Sequence, residues 1–135
     1  MKILVFCKNT EGNKKAMEIA VEQAKAFKAS VALISCIADK SEVPTDITEE
    51  ITGKAGKLLQ EHVEQVFTPA GIDCTKEVIV TTASFGEEVV TYAEKNSVDT
   101  IIMSIQKRSK VGKVFFGSTS QYVILEAPCK VLTTK

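Results

Sequence analysis

The sequence lacks several features that would assign a chemistry directly. No apolar run approaches the length of a membrane-spanning helix, no Cys-x-x-Cys pair occurs, and the only histidine is His62. The 17 basic and 17 acidic residues cancel, so no overall field attracts nucleic acid or acidic lipid. The five apolar residues after Lys2 are too few for the hydrophobic region of a signal peptide. These absences predict a cytoplasmic protein without a membrane segment or a cysteine-based metal site.

Short apolar runs alternate with helical patterns along all 135 residues. Runs such as KILVFC, SVALISCIA and DTIIMS are typical of strands buried on both faces. Between the runs, apolar residues recur at the three- and four-residue steps of a helix. We predict strands over 2–7, 30–38, 73–80, 99–104 and 129–133, and helices around 16–27, 46–67, 84–96 and 118–125. The alternation predicts one α/β domain, 1–135, with a doubly wound parallel sheet and helices on both faces.

Capping patterns mark three of the predicted helix starts. A hydroxyl or carboxylate side chain followed three residues later by Glu or Gln can satisfy the free amides of a helix. Gly53 and Gly56 weaken the second helix, and either close packing on a neighbour or local flexibility would explain them. The capping pairs are Asp46 with Glu49, Ser84 with Glu87, and Ser118 with Gln121.

The junction between the fourth strand and the last helix is strongly basic. Four bases lie between residues 107 and 113, and no Asp or Glu occurs from Thr100 to Leu125. In open parallel sheets such junctions bind phosphorylated ligands, because the amides of a helix start point into the crevice. The junction is therefore the first candidate for a binding site.

The sequence resembles the universal stress proteins over its whole length. The resemblance rests on the helix SFGEEVVTYA, the strand DTIIMS and above all the ending GSTSQYVILEAPCKVLTT. It implies a five-stranded parallel sheet of order 3-2-1-4-5, of the adenine nucleotide alpha hydrolase-like, Rossmann-like type. It also implies a ligand site where the carboxyl ends of strands 1 and 4 meet, and a role in stress adaptation.

The resemblance extends only partly to the ATP-binding motif of that family. Members that bind ATP carry Gly-x-x-Gly-x9-Gly-Ser/Thr after strand 4, and an aspartate at the end of strand 1. Here Ser104 and Lys107 stand at the first two glycines, and Lys8 stands at the aspartate. Gly117 and Ser118 retain the end of the motif. A lysine side chain hinders close approach of the backbone to a phosphate, so we expect no ATP bound in the family's usual way.

We therefore expect a weak site for phosphate, sulfate or a phosphorylated small molecule, formed by side chains and by the start of the last helix. A solvated basic loop with an ordinary capped helix is the alternative explanation of the same residues. An adenine-nucleotide site for ATP or AMP, with slow ATP hydrolysis, is a further alternative. The residues assigned to the site are Lys8, Met103, Ser104, Lys107, Arg108, Gly117, Ser118 and Thr119.

Other chemistry-bearing residues suggest no catalytic or metal centre. His62 has no partner at a ligand or triad spacing, and we predict a half-buried helix residue. Phe115 and Phe116 beside lysines could stack on nucleic acid, but closing the core or an interface is the better interpretation. The four cysteines are predicted to be reduced, buried, small apolar residues of the strands, with a redox pair of Cys7 and Cys36 as the minor alternative. The expected function is non-enzymatic, acting through a weakly held anion or an unidentified protein partner.

The last strand is predicted to lie at an edge of the sheet and to mediate self-association. An apolar, uncovered edge invites pairing with another chain. Relatives commonly dimerise by pairing this strand around a two-fold axis, and a closed homodimer hides the edge on both copies. The predicted interface residues are Lys130, Val131, Leu132 and Thr133.

Overall fold

The computed structural model describes residues 1–8, 13–105 and 117–135. Strands and helices alternate through these ranges, in the predicted order. None of the helices in the described ranges is both long and apolar enough to cross a membrane. The elements are β1 (Lys2–Phe6), α1 (Lys14–Phe27), β2 (Ser30–Ala38), α2 (Thr45–His62) with a π-helical extension (Val63–Phe67), β3 (Cys74–Thr81), α3 (Phe85–Lys95), β4 (Thr100–Ser104), α4 (Ser118–Glu126) and β5 (Lys130–Thr134).

All five strands form one parallel sheet in the order β3-β2-β1-β4-β5. β1 lies at the centre, where Ile3 pairs with Val31 of β2 on one side and with Thr100 of β4 on the other. The chain reverses its direction of winding between β1 and β4, and ligands of open α/β sheets bind beyond that switch point. The predicted α/β fold and strand order are confirmed.

Two helical layers cover the sheet. Ile3 and Val5 of β1 pack with Ala20 of α1 and Leu59 of α2 in one apolar cluster. The intervening side chains of β1 pack in a second cluster with α3 and α4, as Leu4 does with Val89 and Val123. Successive strand residues point to opposite faces, so every residue of β1 from Ile3 onward is buried. The run of apolar residues without alternation follows from this burial on both faces.

The starts of the helices agree with the capping patterns in only one of three cases. The Ser84 side chain accepts a hydrogen bond from the Glu87 amide at 3.2 Å, as predicted for α3. The prediction for Asp46 is wrong, because α2 begins at Thr45 directly after Pro44 and has no side-chain cap. The prediction for Ser118 is also wrong, because the N-cap of α4 is Gly117 and Ser118 is already helical.

The second predicted helix ends in a π turn rather than in a regular α-helix. The Thr68 amide donates to the Val63 carbonyl at 2.9 Å, an i to i+5 hydrogen bond. Phe67, the last residue of this turn, is fully buried in the α1–α2 layer. Gly71 then reverses the chain at φ +72°, a conformation that strains any residue with a Cβ atom. The end of this helix was predictable from the sequence, but the change from α-helical to π-helical hydrogen bonding was not.

Close packing of a glycine occurs on α3 instead of α2. An added Cβ at Gly53 would meet nothing within 4 Å, and one at Gly56 would make an ordinary 3.8 Å contact with Val78. At Gly86, however, a Cβ would lie 2.9 Å from the Tyr122 Cβ of α4. The expected packing reason for the glycines of α2 is thus not found, whereas Gly86 sets the distance between α3 and α4.

Gly86→Ala is expected to destabilise the protein by about 1–3 kcal/mol, because overpacking forces two helices apart. Gly53→Ala is the matched control, since it removes a helix glycine that faces open space and should stabilise by up to about 1 kcal/mol. Urea unfolding followed by circular dichroism measures both changes. A loss of stability in both variants, or in neither, would show that the contact with Tyr122 does not decide the effect.

Candidate functional site

The carboxyl end of β1 is held firmly against β2. The Cys7 amide donates to the Ile34 carbonyl at 2.8 Å, which continues the ladder one residue beyond the strand. The Cys7 carbonyl accepts a hydrogen bond from the Ser35 hydroxyl at 2.7 Å. Ser35 is buried, so water cannot replace this hydrogen bond. Both backbone groups of Cys7 are therefore engaged within the protein.

Asn13 fixes the next residue in the same way. Its Oδ1 accepts from the Lys8 amide at 3.0 Å, and its Nδ2 donates to the Lys8 carbonyl at 2.8 Å. Asn13 is the N-cap residue of α1, yet its side chain caps no amide of that helix. The side chain joins the end of β1 to the start of α1 instead. Since the backbone of Lys8 is also engaged, this strand end presents side chains, not amides, to a ligand.

Ser104 ends β4 beside this point. Phe6 pairs with Met103, so Cys7 and Ser104 follow at the ends of adjacent parallel strands. Ser104 is only 6% exposed. Its Oγ is the one buried side-chain N or O atom within the described ranges that has no hydrogen-bond partner. A buried hydroxyl without a partner is costly, so the stability of the fold does not explain a serine at this position.

The start of α4 supplies the second polar feature of the crevice. Gly117 is extended, and the first regular bond of the helix joins the Gln121 amide to the Gly117 carbonyl at 3.0 Å. The amides of residues 118–120 precede that bond and have no partner inside the helix. Gly117, the N-cap residue, has no side chain that could cap them. A helix start of this kind carries partial positive charge and favours an anion.

The predicted site residues therefore divide into four groups. Lys8, Ser104 and Gly117 stand where the resemblance places them, at the ends of β1 and β4 and at the start of α4. Met103 is fully buried in the α3–α4 layer, and it can only shape the floor of the crevice. Ser118 is exposed and Thr119 half-buried in the first turn of α4, and Lys107 and Arg108 lie outside the described residues.

The cysteines form no redox pair. Cys7 belongs to the apolar cluster of the α1–α2 layer and Cys36 to the cluster of the α3–α4 layer, so they lie on opposite faces of the sheet. The alternative of a Cys7–Cys36 pair is therefore wrong. Burial raises the pKa of the Cys36 thiol to about 12, and it also raises the pKa of Cys7. Both thiols are neutral near pH 7 and poor nucleophiles.

His62 is half-buried at the end of α2, as expected. Partial burial lowers the pKa of His62, because the charged imidazolium loses hydration there. Within 1–8, 13–105 and 117–135, no group of three His, Cys, Asp or Glu side chains could hold a metal ion. Neither feature adds a reactive group to the crevice.

Two residues that organise the site were not identified from the sequence. An asparagine just before a helix reads as an N-cap, and that signal conceals the bond of Asn13 to the preceding strand. Ser35 lies within an apolar run and has no sequence signal at all. Their hydrogen bonds to the end of β1 are evident only in the folded structure, where β1, β2 and α1 lie together.

Comparison with known proteins places this geometry in a family. The sequence model of the universal stress protein family matches residues 1–135. A universal stress protein of Thermus aquaticus is 27% identical over 137 residues, which cover 98% of this chain and 97% of that protein. The structure of a universal stress protein from Archaeoglobus fulgidus superposes with a TM-score of 0.84 at 24% identity, over 100% of this chain and 98% of that chain. A structure of the Archaeoglobus protein in complex with dAMP superposes at 0.79 and 20% identity, with the same coverage of both chains.

Asn13→Ala is expected to destabilise the protein by about 1–3 kcal/mol, since it removes both hydrogen bonds from its side chain to the Lys8 backbone. Asn96→Ala is the control, because it removes one side-chain hydrogen bond, from the Asn96 Nδ2 to the Tyr92 carbonyl at 2.9 Å. Its loss should cost less, about 0.5–1 kcal/mol. Equal losses of unfolding free energy in the two variants, measured with urea, would show that the Asn13 hydrogen bonds have no special structural role.

Proposed function

The chain belongs to the universal stress protein family, and from that premise we propose that it is a cytoplasmic, non-enzymatic stress-response protein of one domain, 1–135. In this proposal it binds a phosphorylated small molecule weakly in the crevice between β1 and β4. It acts as a homodimer. A protein partner distinguishes the ligand-bound form from the ligand-free form. The buried Ser104 hydroxyl at the end of β4, which has no hydrogen-bond partner among the described residues, is the observation that carries the proposal.

The electrostatics of the crevice favour a phosphate group. The free amides at the start of α4 suit an anion, and their partial charge is fixed by the helix. Lys8 adds a cationic residue at the end of β1, and residues 100–125 contain no carboxylate to oppose it. Lys107 and Arg108 follow β4 in sequence and add to the positive charge of residues 100–125. The expected affinity is modest because Ser104 and Lys107 stand where the ATP-binding motif of the family has glycines.

Adenine-nucleotide binding is the second candidate. The Archaeoglobus relative was solved in complex with dAMP, and its fold is that of this chain. Lys8 disfavours a nucleotide bound in the family's usual way, because it places a hydrogen-bond donor where the family has an accepting carboxylate. Binding of AMP or ATP here would have to depend on the phosphate and sugar more than on the base.

Self-association through β5 is supported by the edge of the sheet. β5 pairs only with β4, and the half-buried residues Val131 and Leu132 line its groove. Phe27 at the end of α1 lines the same groove and is 58% exposed. An apolar strand edge flanked by an exposed aromatic side chain favours pairing with a second copy.

Inorganic phosphate and AMP are expected to raise the melting temperature of the protein in a saturable manner, with millimolar to high-micromolar dissociation constants. ATP should add little beyond AMP, with or without magnesium. Thermal-shift titration measures these effects. Stabilisation by ATP far beyond that by phosphate would favour the nucleotide candidate, and a flat response to every probe would contradict a ligand site.

A charge reversal at the helix start tests where the phosphate binds. Ser118→Glu should weaken phosphate binding by roughly tenfold or more, because a carboxylate at the start of α4 repels the anion. It should leave folding intact, since acidic residues suit the first turn of a helix. Thr45→Glu is the matched control, an exposed hydroxyl residue at the start of α2 beside β3. Equal weakening by both variants would rule out the α4 site.

Phe27→Lys is expected to shift the protein from dimer to monomer, because it places a charge beside the edge of β5. Ile51→Lys is the control, since Ile51 is 43% exposed and lies on α2. Size-exclusion chromatography with light scattering measures the mass of each. A monomeric wild type, or dissociation of both variants, would contradict an interface at this edge.

A further inference from the structure

We infer that the outer edge of β3 is a docking site for an extended, cationic segment of a partner protein, which adds a strand to the sheet beside the groove between β3 and α2. The inference goes beyond the proposed function, since β3 and β5 are opposite edges of the sheet. Binding at β3 requires neither the crevice nor the pairing of β5. Each subunit of a homodimer would therefore offer one such edge.

The first argument is that one side of the β3 backbone is turned away from the sheet. Among the described strands, β3 pairs only with β2. The Thr81 carbonyl accepts a hydrogen bond from the Asp39 amide at 2.8 Å, so the backbone groups of Thr81 face β2. Successive residues of a strand turn their N–H and C=O groups to opposite sides. The backbone groups of Val78 and Val80 therefore point outward, where a further strand could bond to them.

The carboxyl half of this edge also carries no charge that would block a strand. Sheet edges are commonly protected by a lysine or a proline. Lys76 lies at the middle of β3, where its Nζ donates to the Gly56 carbonyl at 3.3 Å. Beyond Lys76 the outward-facing residues are Val78 and Val80, and Val80 is 43% exposed. Two branched apolar residues with outward backbone groups suit the addition of a strand.

The second argument is the groove that lies beside this half of the edge. It has a volume of about 540 Å³, and its lining includes Val80 of β3, Val43 before α2, and Thr48 and Gly53 of α2. An added Cβ at Gly53 would meet nothing within 4 Å, so this turn of α2 leaves the groove open. A strand added to β3 would place alternate side chains on the α2 side of the sheet. The groove could therefore receive side chains of the added strand.

The third argument is the charge around the edge, which determines what kind of strand it would accept. Asp39 and Glu49 line the groove, and the described residues that line it include no lysine or arginine. Residues 39–50 contain five carboxylates and one lysine. Glu77 is exposed on β3 itself. Complementary charge steers and selects a partner, so a segment that carries lysine or arginine fits this edge.

The same charges disfavour a second copy of this chain as the occupant. Two β3 edges paired around a two-fold axis would bring their equivalent acidic surfaces together. Like charges placed opposite each other destabilise such a pair. The start of α2 accounts for Asp46, since an acidic residue suits the first turn of a helix. That explanation does not extend to Asp39, which follows β2, or to Glu77 on β3.

The test measures the binding of two acetylated and amidated peptides, KVKVTVKVK and EVEVTVEVE, by isothermal titration of the full chain. Wild type should bind the lysine peptide saturably, with one peptide per chain. The glutamate peptide should bind roughly tenfold more weakly or not at all, because its charge repels the edge. Equal binding of the two peptides, or no binding of the lysine peptide, would overturn the inference.

Val80→Pro separates strand addition from a purely electrostatic attachment. A proline at this position removes an outward N–H that the ladder to β2 does not use, so the sheet should persist. The variant should bind the lysine peptide roughly tenfold more weakly or worse. Val80→Thr is the control, since it keeps the N–H and the branched side chain and should bind like wild type. Unchanged binding by Val80→Pro with a native circular dichroism spectrum would overturn the inference.

Amide hydrogen exchange provides a readout that needs no variant. Without peptide, the outward amides of Val78 and Val80 should exchange faster than those of Ile79 and Thr81, which face β2. The lysine peptide should slow the exchange of Val78 and Val80. If these two amides are not slowed when the peptide is bound, the peptide does not extend the sheet and the inference is wrong.

A charge reversal tests the contribution of the groove. Glu49→Lys should weaken binding of the lysine peptide by roughly three- to tenfold, because it turns an attraction into a repulsion. Glu61→Lys is the matched control, since it makes the same change of charge at an exposed position of α2 outside the groove. Equal weakening by both variants would show that only net charge matters and would overturn the inference.

Failure at this edge is distinguishable from failure of the proposed function. If phosphate stabilises the protein but the lysine peptide does not bind, the crevice stands and only the docking site at β3 is wrong. If the peptide binds but phosphate and AMP have no effect, the docking site stands without the ligand site. Light scattering of Val80→Pro should give the mass of wild type. A change from dimer to monomer would show that a second copy occupies β3, and would overturn the inference.

Discussion

The structure depends on the way the carboxyl end of its central strand is fixed. β1 pairs with β2 and β4, and beyond its last residue the backbone of Cys7 and Lys8 is still engaged by Ile34, Ser35 and Asn13. These hydrogen bonds join the middle of the sheet to the start of α1. Because buried backbone groups must be paired, they leave the strand end rigid and without free amides. The chemistry of the crevice is accordingly left to side chains and to α4.

That constraint explains why this crevice differs from a phosphate loop. A loop that surrounds a phosphate offers several backbone amides from residues able to adopt unusual conformations. Among the described residues of this crevice, the first turn of α4 offers amides without a partner inside the helix, and the strand ends contribute a lysine and a buried serine. Such a site discriminates by the position of individual polar groups. The specificity of the proposed site therefore depends on a few side chains.

The fold was predictable from the sequence because the strands and helices are marked by local patterns of apolar residues. Runs such as KILVFC and DTIIMS are apolar throughout because both faces of their strands are covered, and the strand order followed from the resemblance. The site was predictable only in part. Ser104 and Gly117 follow from a motif spacing, but the bonds made by Asn13 and Ser35 join segments that are distant in sequence. The capping error at Ser118 has a similar cause, since an extended glycine at 117 starts the helix one residue earlier than the pattern indicates.

Gly86 and Tyr122 give α4 a fixed position that the sheet alone does not provide. The two helices meet where a single added carbon atom would lie 2.9 Å from its neighbour, so α4 rests directly against α3. α4 has nine residues, and at 1.5 Å per residue it spans about 14 Å. Its first turn borders the crevice, and its last residue lies four positions before the edge strand β5. One short, tightly seated helix therefore connects the proposed binding crevice to the turn that leads into the edge strand β5.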